Sequence, residues 1–211
     1  MSTSKKENPR LNLTRIPCGT NPLTQTMGHH EHHHKHDSHT DQALPSHVTH
    51  KTGGGHALGC SIVTCSDTRS PETDTSGKLI CHLLKEQGHV IKAYEVVKDE
   101  PKEILKSLTR ATGDQEIQVV IINGGTGISR RDSTFEAVDG FLEKRLDGFG
   151  EIFRYLSYKD IGSPAMLSRA TAGIHGHLCI FSIPGSQGAV RLAMERLILP
   201  EMGHITGEIS K

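Results

Sequence analysis

The chain has 211 residues, and its 24 lysines and arginines balance 24 aspartates and glutamates. This balance argues against a nucleic-acid-binding surface. No apolar run approaches the roughly 20 residues of a membrane-spanning helix, and the start of the chain lacks the apolar core of a signal peptide. We therefore expect a cytoplasmic protein that does not associate with membranes.

The first 56 residues differ in composition from the rest. They are polar, hold ten of the fifteen histidines, many of them in HHEHHHKHDSH (29–39), and end near Gly53, Gly54 and Gly55. We predict a disordered, flexible arm over 1–56 and a single folded domain over 57–211. The closely spaced imidazoles can bind Zn²⁺, Ni²⁺ or Cu²⁺ loosely, but we favour a solvated arm whose metal affinity is incidental.

The five cysteines are an odd number and form no CxxC pair, so we predict reduced thiols. A disulfide between the neighbouring Cys60 and Cys65 remains an alternative. The other three are Cys18, Cys81 and Cys179.

The folded part alternates strands with helices. Predicted strands are 57–64, 89–97, 119–122 and 177–183. Predicted helices are 77–87, capped by Thr75 or Ser76, then 101–108, one that begins at 134, 151–158, 165–172 and 189–198, with a shorter helical tail after Pro200. This order predicts an α/β fold with a parallel sheet, right-handed crossovers and helices on both faces.

The stretch VVIINGGTGISRRDSTFEAV (119–138) joins the third strand to a helix. Gly124, Gly125 and Gly127 lack the Cβ atoms that would keep a ligand from the backbone, so N–H groups can converge on an anion. Asp132 and Ser133 can both cap the following helix, whose positive end faces the same place. An ordinary tight connection is the alternative, since the loop is neither GxGxxG nor a Walker A loop.

Ligands of such sheets bind outside the carboxyl ends of the strands. That rule brings several polar groups together with the glycine loop: Ser66, Asp67, Asp74, Asp99, Asp132, and the turn Pro184, Gly185, Ser186. Carboxylates beside an anion-binding loop require a neutralising cation. The pattern therefore favours Mg²⁺ and phosphoryl or nucleotidyl transfer.

Five segments over about 58–205 resemble, in order, the MoaB/Mog family of molybdenum cofactor biosynthesis proteins. They are SDTRSPETDTSG, GGTGISRRDSTFEA, DGFGEIFRYLSYKDIGS, AMLSRATAG and SIPGSQGAVRLAMERLILPEMGHI. The third is more similar to the MoaB branch than to the Mog branch. The resemblance implies a three-layer α/β/α domain that binds molybdopterin and assembles as a homotrimer or a dimer of trimers.

Active members of that family are adenylyltransferases that join molybdopterin to ATP and release pyrophosphate, which implies the same reaction here. The alternative is a catalytically inactive molybdopterin-binding carrier or scaffold. In this sequence Phe135 stands where the family frequently has proline, and Lys98 rather than proline precedes Asp99.

The resemblance assigns catalysis and Mg²⁺ binding to Asp99 and Asp132, for which a solvated loop acid and a helix cap are the respective alternatives. It also assigns Ser168 and Arg169 to a pterin phosphate, with a surface salt bridge as the alternative for the arginine. Together with the strand-end residues, the predicted substrate-binding set is Ser66, Asp67, Asp74, Gly124, Gly125, Thr126, Gly127, Ser168, Arg169, Pro184, Gly185 and Ser186.

Overall fold

The computed structural model describes residues 56–211, so the predicted arm and its metal binding lie outside the described residues except for His56. One six-stranded sheet has the order β2-β1-β3-β6-β5-β4. Its strands are β1 Gly59–Cys65, β2 Val90–Val97, β3 Val119–Asn123, β4 Lys144–Arg145, β5 Thr171–His175 and β6 Leu178–Ile183. The pairs among β1, β2, β3 and β6 are parallel, whereas β5 pairs antiparallel with β6 and with β4.

In the described part of the chain six α-helices accompany the sheet: α1 Thr75–Glu86, α2 Pro101–Thr112, α3 Thr134–Phe141, α4 Asp147–Ile161, α5 Gln187–Ala193 and α6 Leu199–Ile209. A 3₁₀ turn, Ser163–Leu167, follows α4, and a π-helical segment, Met194–Ile198, joins α5 to α6. Within 56–211 no helix combines the length and apolarity that crossing a membrane requires.

The core lies on both faces of the sheet. Ile62 and Ile121 belong to a buried cluster with side chains of α1, α4, α5 and α6. Their strand neighbours Val63 and Ile122 point the other way and belong to a second cluster with α2 and α3. Because both faces are covered, these central strands are continuously apolar, and the predicted three-layer α/β/α architecture with a mostly parallel sheet is confirmed.

The helix predicted over 165–172 is wrong. The 3₁₀ turn ends at Leu167, and β5 begins at Thr171 and pairs with β6 across a turn that contains Gly176 at φ +55°. Pairing with β6 overrides the helical propensity of the alanines in this stretch. β4 was not predicted, since two residues carry no periodicity; a Cβ on Gly173 would lie 2.3 Å from the Lys144 carbonyl oxygen, which shows how closely β4 approaches β5.

Pro200 does not restart the chain as predicted, because helical structure continues from 187 to 209 through the π-helical segment. Proline lacks an N–H group, and its ring collides with the carbonyl one turn earlier in a regular α-helix. The wider π turn lies immediately before Pro200, where it relieves both problems.

Among the described residues the cysteines Cys60, Cys65, Cys81 and Cys179 are free, as predicted, and Cys60 forms no disulfide with Cys65. Cys18 lies outside the described residues.

Candidate active site

A cleft of about 380 Å³ opens at the carboxyl ends of the central strands. Three loops that follow β1, β3 and β6 line it, together with the end of the 3₁₀ turn. The lining residues are Cys65, Ser66, Thr68, Arg69, Gly124, Gly125, Thr126, Gly127, Leu167, Ser168, Pro184 and Gly185. The strand-end rule therefore located the cleft, but it missed Cys65, Thr68, Arg69 and Leu167.

The glycine loop is shaped by close approaches that no side chain would allow. Gly124 has φ +96°, and a Cβ there would lie 2.3 Å from the Cys65 carbonyl oxygen. A Cβ on Gly127 would lie 2.5 Å from Asp132 Oδ2. Within the described part of the chain, the backbone N–H groups of Gly125, Thr126 and Gly127 have no hydrogen-bond acceptor. Three backbone donors without partners at the edge of a cleft suit a bound anion.

Asp99 is buried, with 7% of its surface exposed, and is not a solvated loop acid. Its Oδ1 accepts hydrogen bonds from Ser133 N at 3.2 Å, Ser133 Oγ at 3.1 Å and Thr134 Oγ1 at 3.1 Å. These contacts hold the carboxylate at the positive end of α3. Its Oδ2 lies beside Gly125, where a Cβ would be 2.3 Å away, and none of the described residues donates to it.

Asp132 lies at the other end of the glycine loop, and its Oδ2 accepts a hydrogen bond from Ser129 N at 2.8 Å. Neither Asp132 nor Ser133 caps α3 through its side chain, so the predicted caps are wrong. The N–H of Thr134 instead donates to the Gly125 carbonyl at 3.1 Å, and Asp99 takes the N–H of Ser133.

The chemistry of the two carboxylates fits Mg²⁺. Asp99 and Asp132 flank the loop, and each keeps one oxygen with no donor in 56–211. No group of three metal-binding side chains occurs in this part of the chain. Mg²⁺ commonly takes only one or two carboxylates together with substrate phosphates and water, so a set of two hard oxygen donors is compatible with this ion.

Asp74 lies behind the cleft and is fully buried. It caps α1 by accepting from Gly77 N at 3.0 Å, so the predicted caps of that helix, Thr75 and Ser76, are wrong. It also accepts from Thr64 Oγ1 at 2.5 Å and Tyr94 Oη at 2.8 Å. Burial raises the pKa of Asp74, but these hydrogen bonds and the Arg69 guanidinium outweigh it, and the net pKa is lowered.

Arg169 does not line the cleft but braces the glycine loop from outside. Its Nε donates to the Thr126 carbonyl at 3.0 Å, and Nη2 donates to the Gly127 carbonyl. Its guanidinium pairs with Glu136, which lowers the pKa of that carboxyl, and lies 5.0 Å from the Phe135 ring centroid. The salt-bridge reading of Arg169 therefore matches its surroundings.

Two other predicted residues, Asp67 and Ser186, have local structural contacts. Asp67 does not line the cleft, and its Oδ2 lies 3.0 Å from the Arg131 guanidinium. Ser186 caps α5 by accepting from Ala189 N at 3.3 Å. Signals for the missed residues were weak. Arg69 is the exception, because it is the single basic residue of SDTRSPETDTSG.

Residues 61–204 match the protein family described as "Probable molybdopterin binding domain". Molybdenum cofactor biosynthesis protein B of Bacillus cereus is 53% identical over 163 residues, which cover 77% of this chain and 96% of that protein. A crystal structure of molybdenum cofactor biosynthesis protein B is 53% identical and covers 74% of this chain and 98% of its own, with a TM-score of 0.73. The tungsten cofactor synthesizing protein MoaB from Pyrococcus furiosus is 36% identical at the same coverage, with a TM-score of 0.67.

Proposed function

Since the chain belongs to the MoaB/Mog family of molybdenum cofactor biosynthesis proteins, we propose that it transfers the adenylyl group of ATP to molybdopterin in the presence of Mg²⁺. The observation that carries the proposal is the state of the glycine loop at the edge of the cleft. Its N–H groups at 125–127 find no acceptor among residues 56–211. The carboxylates of Asp99 and Asp132 at the two ends of this loop support it further.

In this proposal the terminal phosphate of molybdopterin attacks the α-phosphorus of ATP. A new phosphorus–oxygen bond forms, the bond between the α-phosphorus and the bridging oxygen breaks, and pyrophosphate leaves. The N–H groups of 125–127 hold a phosphate and stabilise its charge as the geometry changes. Asp99 and Asp132 would hold the Mg²⁺ ion, which neutralises phosphate charge when it is bound.

The family also supports a proposal about assembly, a homotrimer or a dimer of trimers. Exposed apolar side chains recur every three residues along α4, at Ile152, Tyr155, Tyr158 and Ile161. Exposed apolar surface of this kind is typical of contacts between subunits. Leu167, at the end of the 3₁₀ turn that contacts α4, is also exposed and lines the cleft. Light scattering on the purified chain measures the number of copies.

The experiment supplies the full chain with ATP, molybdopterin and Mg²⁺ and measures pyrophosphate release. Asp132→Asn keeps an acceptor for Ser129 N and should fold normally, yet turnover should fall roughly 100-fold or more. Asp99→Asn keeps the contacts of Oδ1 and should likewise lose turnover while molybdopterin still binds. Asp147→Asn, a change at an exposed carboxylate of α4, serves as the matched control.

The outcomes separate the two candidate functions. Molybdopterin binding without pyrophosphate release from the unaltered chain would identify a carrier or scaffold instead of an enzyme. An Asp132→Asn variant with full turnover would show that its carboxylate has only a local structural role. A loss of molybdopterin affinity in Asp99→Asn equal to the loss of turnover would contradict the proposal that Asp99 holds Mg²⁺ and does not contact molybdopterin.

A further inference from the structure

Arg69 is the single charged side chain that lines the cleft among the described residues. Its side chain is 33% exposed. Nη1 lies 3.4 Å from Asp74 Oδ1, and Nη2 lies 3.3 Å from the Gly185 carbonyl oxygen. A guanidinium carries five N–H donors, and both of these contacts are long, so Arg69 keeps donors for a ligand.

Two nearby arginines, Arg169 and Arg131, are already engaged. Arg169 makes four hydrogen bonds, to the carbonyls of Thr126 and Gly127 and to both oxygens of Glu136. Arg131 pairs with Asp67 and lies 3.7 Å from Glu100. Neither lines the cleft. Arg69 is therefore the positively charged side chain that, among the described residues, shares the cleft with the N–H groups of the glycine loop.

A buried polar chain fixes the position of Arg69. Asn123 Nδ2 donates to Thr64 Oγ1 at 2.8 Å, and Thr64 Oγ1 donates to Asp74 Oδ2 at 2.5 Å. Tyr94 Oη donates to the same oxygen at 2.8 Å. The three donors to Asp74 other than Arg69 are Thr64 Oγ1 of β1, Tyr94 Oη of β2 and Gly77 N of α1. They hold its carboxylate in place, and the carboxylate in turn orients the guanidinium.

The Gly185 carbonyl provides the second anchor. It accepts from Ser76 Oγ at 2.8 Å as well as from Arg69. A Cβ on Gly185 would lie 2.9 Å from Gly124 Cα, so the turn after β6 packs directly on the glycine loop. These contacts place the guanidinium of Arg69 on the same cleft as the N–H groups of 125–127.

We propose that Arg69 binds a phosphate group of a substrate in this cleft and that Asp74 is the residue that positions it. The identity of the phosphate carrier rests on the proposed function, under which ATP and molybdopterin both bring a phosphate. The planar fork of arginine matches two phosphate oxygens at once, which a lysine cannot do. Asp74 acts through Arg69 and does not touch the ligand.

The test measures binding to the full chain by calorimetry, with molybdopterin, ATP and inorganic pyrophosphate as three separate probes. Arg69→Gln should raise the Kd of at least one probe by about tenfold or more, and Arg69→Lys should recover only part of the loss. Arg131→Gln, an equal loss of charge outside the cleft, should change each Kd by no more than about twofold. The probe that responds identifies the phosphate that Arg69 contacts.

Asp74 is tested by kinetics, because a merely structural role would not change one substrate selectively. Asp74→Asn should raise KM for the ligand whose Kd responds to Arg69→Gln and leave KM for the other substrate unchanged. Circular dichroism confirms that each variant is folded. Equal effects on both substrates would contradict the positioning role.

The results also separate this inference from the proposed function. Pyrophosphate binding that depends on Arg69, in a chain that binds neither ATP nor molybdopterin, would support the role of Arg69 and overturn the proposed reaction. Normal turnover with every Kd unchanged in Arg69→Gln would overturn the inference and leave the reaction standing. A chain that binds none of the three probes would overturn both.

Discussion

Replacing Gly125 with alanine tests whether the glycine loop is built around Asp99. Gly125 has φ +59°, a left-handed conformation that disfavours any side chain. An added Cβ would lie 2.2 Å from Thr134 Oγ1 and 2.3 Å from Asp99 Oδ2. Both distances are far inside van der Waals contact, so the loop or the carboxylate has to move.

The expected cost has two parts. The left-handed conformation costs an alanine about 1–2 kcal/mol. Forcing a methyl group into a packed site adds about 1–3 kcal/mol. The free energy of unfolding should therefore fall by about 2–5 kcal/mol, which for a folded domain of this size lowers Tm by about 4–20 °C. Turnover should fall as well, since Asp99 is displaced.

Gly88→Ala is the matched control. Gly88 has φ +80° just after α1, but a Cβ there would meet nothing within 4 Å. It should therefore lose only the conformational part, about 1–2 kcal/mol. The chain has no tryptophan, so urea unfolding is followed by circular dichroism, at one protein concentration because an oligomer's stability depends on it.

Comparing the stability and turnover of the two variants tests whether the approach of Asp99 requires glycine at 125. If Gly125→Ala were no less stable than Gly88→Ala, the approach of Asp99 would not be what requires glycine at 125. If stability fell as expected while turnover stayed normal, Asp99 would be a structural partner of α3 rather than a catalytic residue.

Three further predictions follow from burial, charge and composition. The folded-state pKa of Asp74 is lowered, so its stabilisation is present above the unfolded pKa of about 3.9 and is lost as pH falls through the folded value. Asp74→Asn should therefore cost about 1–3 kcal/mol at pH 7 and flatten the acid limb of a stability profile below about pH 4. Burial raises the pKa of Cys60, Cys65 and Cys179 to about 12, so a thiol reagent at pH 8 should label them only after urea is added. A chain that begins at Ala57 should keep its specific activity and oligomeric state but lose loose Ni²⁺ or Zn²⁺ binding; loss of turnover at saturating Mg²⁺ would place the arm in the site.

The sequence predicted the parts of the fold whose pattern is local. The strands β1, β2, β3 and β6 are apolar runs with clear ends, and α1 and α2 repeat apolar residues at helical spacing. β5 and β4 had no such pattern, because their strand conformation depends on pairing with β6. The prediction of the α3 caps was wrong because it also depends on a distant contact: the N–H of Ser133 donates to Asp99, 34 residues earlier in the chain.

In the site, too, the features that depend on local sequence were predicted and those that depend on distant contacts were not. The glycines and the acids at strand ends could be identified as candidates from their residue type and position. The rule that ligands bind at the carboxyl ends of strands placed the loop and the Pro184–Gly185 turn together. The orientation of the two arginines was not visible. Arg69 reaches Gly185 across 116 positions of the chain, and Arg169 reaches Thr126 across 43, so only the folded structure tells which of them enters the cleft.

Phe135, near the start of α3, contacts Arg169 and so bears on which of the two arginines enters the cleft. Its ring lies under the Arg169 guanidinium at 5.0 Å, a cation–π distance, while the same guanidinium holds the carbonyls of Thr126 and Gly127. A proline at 135 would fix the backbone φ of the helix start but offer no aromatic face. The aromatic ring therefore adds a contact that keeps Arg169 on the outside of the glycine loop, and the cleft is left to Arg69.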